Sequence, residues 1–272
     1  APLSVAEDLK RMFYDVKDSV ILCSATLRVG NDFKYMARRL GCAERFRFQT
    51  AESPFDYFRQ ALVLATDYLP DPSAGTAAVA SALADSLRDV FRATEGRGLV
   101  LFTSYEMMNA VAAAAHEPFT AAGLRLLVQG EGLSREAMVH LLKESTPSLP
   151  TVLFGAQSFW EGVDVAGAAL SCVVIARLPF AQVGDPIIEA RTEAIVRRGG
   201  NAFRDYTLPE AVIRFRQGFG RLIRTKRDRG VVIVTDPRLV TKSYGSVFRK
   251  SIPATVHTVT DSSDLLAAIG VE

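Results

Sequence analysis

An α/β fold with a doubly wound, mostly parallel sheet and helices on both faces is what three features of this sequence predict. Short β-branched apolar runs alternate with amphipathic stretches, the β-α-β-α rhythm of such sheets. Several runs are apolar at nearly every position, as strands covered on both faces must be. The composition is globular: 272 residues, 49% apolar and 23% charged, enough for one large core. No internal repeat, low-complexity tract or linker is evident, so a single domain over 1–272 is expected.

The candidate strands, in order, are SVILCSAT (19–26), RFRFQT (45–50), RGLVLFTS (97–104), LRLLVQ (124–129), TVLFGA (151–156), CVVIARLPF (172–180) and GVVIVTD (230–236). Between them lie candidate helices. Residues 31–41 have a polar start and a glycine stop. Residues 75–96 are rich in alanine and leucine, amphipathic, and end in glycine. Residues 104–119 and 134–145 follow the same pattern; Ser134 is a candidate N-cap, with Glu136 one position early for a capping box. Residues 181–213 break the rhythm. They are polar and helical, interrupted by Gly199, Gly200 and Pro209, and read as a helical insertion between two strands.

The net charge is only +2, but its distribution is uneven. Residues 214–229 hold six Arg and one Lys against one Asp, about +6, which leaves about −4 for the rest. A basic patch on a mildly acidic body is an electrostatic footprint for an anion; the alternative is a solvated charge run. The three cysteines, Cys23, Cys42 and Cys172, are odd in number and form no C-x-x-C; Cys23 and Cys172 sit in apolar runs and read as buried thiols of a reducing compartment. His116, His140 and His257 are isolated, with no metal-ligand spacing, and no metal site is expected. Nothing approaches ~18 consecutive apolar residues and no secretory leader is apparent, so a cytoplasmic protein with no membrane partner is expected.

In open α/β sheets ligands gather at the carboxyl ends of strands. SAT (24–26), TSYE (103–106), GAQSFWEGVDVAG (155–167) and RLPF (177–180) each follow a candidate strand, and the arginine segment is expected to join them at one edge. Thr103, Ser104 and Ser158 carry hydroxyls suited to nucleic-acid phosphates, and Arg177 adds a cation. Tyr105, Phe159 and Trp160 are either base-stacking surfaces or core residues. Glu161 and Asp164, three apart, suit acid–base or metal work or else an acidic helix start, and Gly162 between them permits close backbone approach. Ser158 sits in G-A-Q-S-F-W-E-G, which is not the G-x-S-x-G elbow of a serine hydrolase. In QGFGRLIR (217–224), a helix would put Gln217, Arg221 and Arg224 at i, i+4 and i+7 on one face. Arginine is permanently charged and its planar fork fits phosphate.

FWEGVDVAG, VVIARLPF and QGFGRLIRTKRDRG, in that order, resemble motifs V and VI of superfamily 2 helicases, specifically the DinG/XPD group. SATL (24–27) resembles motif III and LVLFTSY (99–105) motif IV; SPFD (53–56) and LPDP (69–72) also resemble that group. The resemblance runs from about residue 19 to about 245. It implies a RecA-like C-terminal motor domain spanning motifs III to VI, whose partner is the N-terminal motor domain of the same parent. It implies that Arg221 and Arg224 are arginine fingers for ATP and that Gln217 orders them. Glu161, Gly162, Asp164 and Gly220 would couple nucleotide to DNA, and single-stranded DNA would be the substrate, with 5′-to-3′ polarity. No G-x-x-x-x-G-K-[ST] and no DEAH-like quartet occurs in this chain. ATP and Mg²⁺ are therefore expected to be bound mainly by the absent domain, and any iron–sulfur cluster would also belong to the parent's first half. The competing readings are a non-catalytic RecA-like module that binds nucleic acid or a partner, and the helicase-like part of a nuclease-fused homologue.

Overall fold

The computed structural model describes residues 3–30, 32–161, 165, 169–182 and 184–270. Seven apolar runs pair into one sheet whose ladders are all parallel, in the order β3-β4-β2-β5-β6-β1-β7. The strands are β1 (Ala61–Thr66), β2 (Gly98–Phe102), β3 (Arg125–Val128), β4 (Thr151–Ala156), β5 (Cys172–Ile175), β6 (Gly230–Val234) and β7 (Val256–Val259). The helices are α1 (Ala6–Leu9), α2 (Lys34–Leu40), α3 (Tyr57–Gln60), α4 (Thr76–Ala93), α5 (Tyr105–Ala121), α6 (Arg135–Lys143), α7 (Pro186–Arg197), α8 (Leu208–Phe219), α9 (Arg238–Thr241), α10 (Gly245–Arg249) and α11 (Ser262–Ile269).

The period-two alternation of the strands divides their side chains between two cores. On one face Leu99, Leu101, Leu153, Val173, Ile175, Val232 and Val234 pack with Met138 and Leu142 of α6, Val212 and Phe215 of α8 and Phe248 of α10. On the other, Val100, Phe102, Val152, Phe154, Val174 and Ile233 pack with α4, α5 and Leu265 of α11. The sheet is thus doubly wound, as expected, with central strands buried throughout. Both faces being covered, only the two rows of strand ends remain for chemistry.

Two expected strands are not strands. Residues 19–26 and 45–50 join no ladder and include turns at 25–26 and at 45, and Ile21 is 91% exposed. A strand is made by a neighbour, and among the described residues neither run has one in the sheet. Their places go to β1 and β7, which the apolar pattern underrates: ALVLAT continues directly from the short helix α3, and VHTV is a short edge strand with exposed polar positions. In the insertion, α7 is followed by a wide helical turn at Phe203–Thr207 and then by α8. Pro209 does not interrupt it, because it lies in the first turn of α8, where a missing N–H leaves no bond unmade.

The helix ends follow their sequence signals. Ser104 caps α5 by accepting from Met107 N, and Ser134 caps α6 by accepting from Ala137 N, both at 3.2 Å. Gly41 ends α2 in the left-handed region, with φ +69°. The thiols differ in access: Cys23 is exposed, whereas Cys42 and Cys172 are buried and burial pushes both of their pKa values up. One thiol should therefore react rapidly with a disulfide reagent in the native chain and all three after denaturation. A second fast thiol in the native state would contradict the burial of Cys42 and Cys172.

Candidate functional site

The parallel sheet separates the candidate residues into two groups at its opposite ends. Thr103, Ser104 and Tyr105 follow β2, Ser158 follows β4 and Arg177 follows β5, all at the carboxyl edge. Gln217, in the last turn of α8, and Gly220, Arg221 and Arg224, between α8 and the start of β6, lie at the amino edge. The arginine segment therefore does not share an edge with the polar loops, contrary to expectation. A helix that returns from one strand's carboxyl end to the next strand's amino end delivers its own C-terminus to the opposite side of the sheet.

At the carboxyl edge, hydrogen bonds run from loop to loop. Gln129, just past β3, donates from Nε2 to Tyr105 Oη at 2.8 Å and to Ser158 Oγ at 3.1 Å, and its Oε1 accepts from Ala156 N at 2.8 Å. Gln182 donates to the carbonyl of Thr103 at 3.3 Å. The buried carboxylate of Asp236, after β6, accepts from Leu178 N at 2.8 Å and from Arg238 N at 3.0 Å. It also takes the Arg238 guanidinium in a forked ion pair, Nη2 to Oδ2 at 2.6 Å. Burial disfavours the Arg238 cation, but the bonds and charge of Asp236 outweigh it and raise its pKa. Arg177 is the opposite case: burial pulls its guanidinium down despite Asp236, and its buried Nε has no partner. A half-buried cation with an unpartnered Nε, at the carboxyl edge, is an anion-seeking feature even with the charges of Asp236, Glu106 and Asp71 acting on it.

Phe159 is fully buried and Trp160 is 5% exposed, its Nε1 donating to the carbonyl of Phe102 at 2.7 Å. Both belong to the core, so of the three aromatic candidates Tyr105 alone presents its ring to solvent. Two glycines make this packing possible. A Cβ on Gly155 would fall 2.4 Å from the Phe159 ring, and one on Gly218 would fall 2.8 Å from the Trp160 indole. The second contact joins the loop after β4 to the arginine-bearing helix. Glu161 is exposed immediately after Trp160, whereas Gly162 and Asp164 lie outside the described residues.

At the amino edge α8 ends at Phe219, with Gly220 as its C-cap, so Arg221 and Arg224 stand in the following turn and loop and not on a continued helical face. Arg221 still reaches back, Nε to the carbonyl of Gln217 at 3.2 Å. The loop is organised by Asp228, the single acid in the basic run. Its carboxylate accepts from Arg224 N, Thr225 N and Thr225 Oγ1, each at 2.7 Å. Behind it the buried amide of Gln60, the last residue of α3 and next to the start of β1, donates to the carbonyls of Thr225 at 2.9 Å and Asp228 at 2.8 Å. Arg216 of α8 donates to the carbonyls of Ala25, at 2.6 Å, and Arg28, which holds the SATL segment against this helix instead of at a strand end. Burial, then the charge of Arg28, lowers its pKa.

Gln60, Gln129, Asp228, Asp236 and Arg238 were not singled out from sequence. Asp236 and Gln129 stand at the ends of strand-like runs and Asp228 is a lone acid among cations, so each left a signal. Gln60 left none. Among the described residues no group of three or more His, Cys, Asp or Glu could hold a metal ion, and no helix is long and apolar enough to cross a membrane.

Residues 87–255 match the family model of the helicase C-terminal domain. The chain is 40% identical over 257 residues to the ATP-dependent DNA helicase YoaA of Haemophilus influenzae, covering 94% of this chain and 39% of that protein. It is 36% identical over 264 residues to the 3′-5′ exonuclease DinG of Bacillus subtilis, covering 96% of this chain and 28% of that protein. It is 35% identical over 271 residues to the ATP-dependent helicase DinG of Mycobacterium tuberculosis, covering 99% of this chain and 39% of that protein. It thus spans about two-fifths or less of the length of these relatives. Among solved structures, an XPD helicase shares the fold with a TM-score of 0.67 at 18% identity, over 94% of this chain and 45% of the other.

Replacing Asp228 by Ala should leave two backbone N–H groups and a hydroxyl without their acceptor, at a cost of about 1–3 kcal/mol. The expected result is a lower urea midpoint and faster tryptic cleavage within 224–227. An unchanged midpoint and cleavage rate would show that the loop is held by other means.

Proposed function

The chain belongs to the helicase C-terminal domain family, and from that premise we propose that it is the second motor domain of a longer ATP-dependent DNA helicase. Its amino edge faces ATP held by the first motor domain, and its carboxyl edge grips single-stranded DNA. The observation that carries this reading is the division of labour across one sheet. A loop bearing Arg221 and Arg224 is braced at one end, and a row of hydroxyls, amides and an under-satisfied Arg177 lines the other.

Phosphoryl transfer leaves little covalent chemistry to the protein; positioning and charge stabilisation do most of the work. Arg221 and Arg224 supply permanent cations to the transferring γ-phosphoryl group, a contribution worth ~10³–10⁵ in rate for an arginine finger. Bracing of the loop backbone at 224–228 by Asp228 and Gln60 matters because a cation stabilises charge without reorganisation only if the segment that carries it is already in place. The backbone carbonyl of Gln217 holds Arg221, and the side chain of Gln217 would order the pair by resemblance to the DinG/XPD group. ATP and Mg²⁺ would be bound mainly outside this chain, whose described residues lack a carboxylate cluster for the metal. Trp160, wedged against Gly218, is the mechanical link from the DNA-side loop to the nucleotide-side helix. Closure of the two motor domains around ATP would then move the strand, with 5′-to-3′ polarity by resemblance to the DinG/XPD group.

A non-catalytic RecA-like module is the alternative, and it has no use for a braced pair of arginines. A nuclease-fused parent would contain the same domain unchanged. In the full-length protein, Arg221→Ala and Arg224→Ala should each reduce ATP turnover at least ~10³-fold while leaving single-strand affinity within about twofold. Retained turnover in both variants would refute the finger assignment. For this chain alone, affinity for single-stranded DNA should fall steeply between about 50 and 200 mM salt, because phosphate contacts carry it.

A further inference from the structure

The helix α7 and the wide turn after it contribute no residue to the arginine loop or to the hydroxyl row. With α2 and the segment Leu3–Val5 they enclose a cavity of about 650 Å³, the size of a small-molecule site. The glycine pair after α7 gives the cavity its wall. Gly199 takes the left-handed region at φ +75°, and a Cβ on Gly200 would lie 2.7 Å from the Ile195 side chain. The chain can therefore turn back tightly and bring Asp205 and Tyr206 to the lining.

Four arginines line this cavity: Arg38 and Arg39 of α2, Arg191 of α7 and Arg198 at its C-terminal end. Two of them are committed. Arg39 pairs with Glu210 and donates to Tyr35 Oη at 3.1 Å. Arg191 donates to Tyr206 Oη at 3.0 Å and to the carbonyl of Leu3 at 3.3 Å. Their guanidinia also stand 5.7 and 5.9 Å from the centre of the Tyr206 ring. Arg38 and Arg198 are exposed and uncommitted. Arg38 reaches only the carbonyl of Lys34 in its own helix, at 3.4 Å. The Arg198 side chain has no hydrogen bond or ion pair among the described residues. Asp205, the one acid in the lining, already accepts from Asn201 N at 2.9 Å and pairs with Arg204.

A guanidinium carries five donors and no acceptor, so two uncommitted ones call for an acceptor. Like charges gathered around one cavity favour an acceptor that is itself multiply charged, and the planar fork fits phosphate. The rest of the lining is largely apolar, with Val5, Ala194, Ile195 and the bodies of Tyr35 and Tyr206. Free phosphate would leave that wall in water. An aliphatic acid would leave the guanidinium planes with nothing to stack on. A phosphate carried on a planar body satisfies both. We propose that this cavity is a small-molecule site for a nucleoside monophosphate, with Arg38 and Arg198 holding the phosphate and the apolar wall receiving the base.

Binding of AMP to this chain is measured by titration calorimetry at low salt, with thermal unfolding run alongside. Saturable binding is expected. Replacing both exposed arginines, as Arg38→Gln with Arg198→Gln, should weaken it about tenfold or more with an unchanged Tm. Ribose 5-phosphate, which lacks the base, should bind the unsubstituted chain about tenfold or more weakly than AMP, a comparison that needs no variant to fold. Absence of saturable AMP binding would overturn the proposal, as would an unaffected affinity in the double variant. Inorganic phosphate or ribose 5-phosphate binding as tightly as AMP would reduce the cavity to a plain anion site. Equal affinity for a 5′-phosphorylated oligothymidylate would give it to a strand end. Loss of AMP binding in Arg221→Ala with Arg224→Ala would place the nucleotide on the arginine loop instead. AMP binding at the cavity by this chain but not by the full-length parent would show that another part of the parent fills it. Each of these four results would overturn the assignment.

Discussion

A parallel sheet covered on both faces is the constraint from which the rest follows. Every strand runs the same way, so every loop after a strand meets its neighbours at one edge, and every returning helix ends at the other. The two faces are closed by α6, α8 and α10 on one side and by α4, α5 and α11 on the other. Exposed polar chemistry is thereby confined to the strand ends. The two edges are chemically distinct yet joined through one close-packed core, which is what the proposed handling of two ligands at once would require.

Each edge is held by a glutamine. Gln60 fixes the arginine loop from behind, and Gln129 fixes the hydroxyl row. An amide suits this position because it carries a donor face and an acceptor face and no charge, so it can be wholly or partly buried and still satisfy several neighbours. A carboxylate does the equivalent work where the groups to be gathered are all donors, as with Asp228 and Asp236. The candidate side chains and the loops that carry them are thus held by a second tier of polar residues.

Mechanical continuity between the edges runs through Trp160. Its indole is buried against Gly218 of α8 and tied to the carbonyl of Phe102 at the end of β2. Displacement of the loop after β4 therefore cannot leave the arginine helix untouched. The absence of a side chain at Gly218 is what allows this proximity, which gives the first glycine of QGFGRLIR (217–224) a packing reason independent of backbone conformation.

Alternation of apolar runs with amphipathic helices was enough to predict the parallel, doubly wound architecture, five of the seven strands and the four longer helices before the insertion that are capped by Ser, Gly or polar starts. Those features are local: periodicity, capping and β-branched content act over a few residues. The arginines and the hydroxyls were also visible, because their chemistry is carried by residue type. Strand membership was not local. Residues 19–26 look more strand-like than Ala61–Thr66, yet only the latter finds neighbours on both sides, in β6 and β7. Nor did the sequence tell which edge the arginines occupy, or that Gln60, Gln129 and Asp228 orient them and the hydroxyls. The contacts of Gln129 and Gln60 join residues 24 to 168 positions apart, which only the closed tertiary structure decides, whereas those of Asp228 span three or four positions within its own loop.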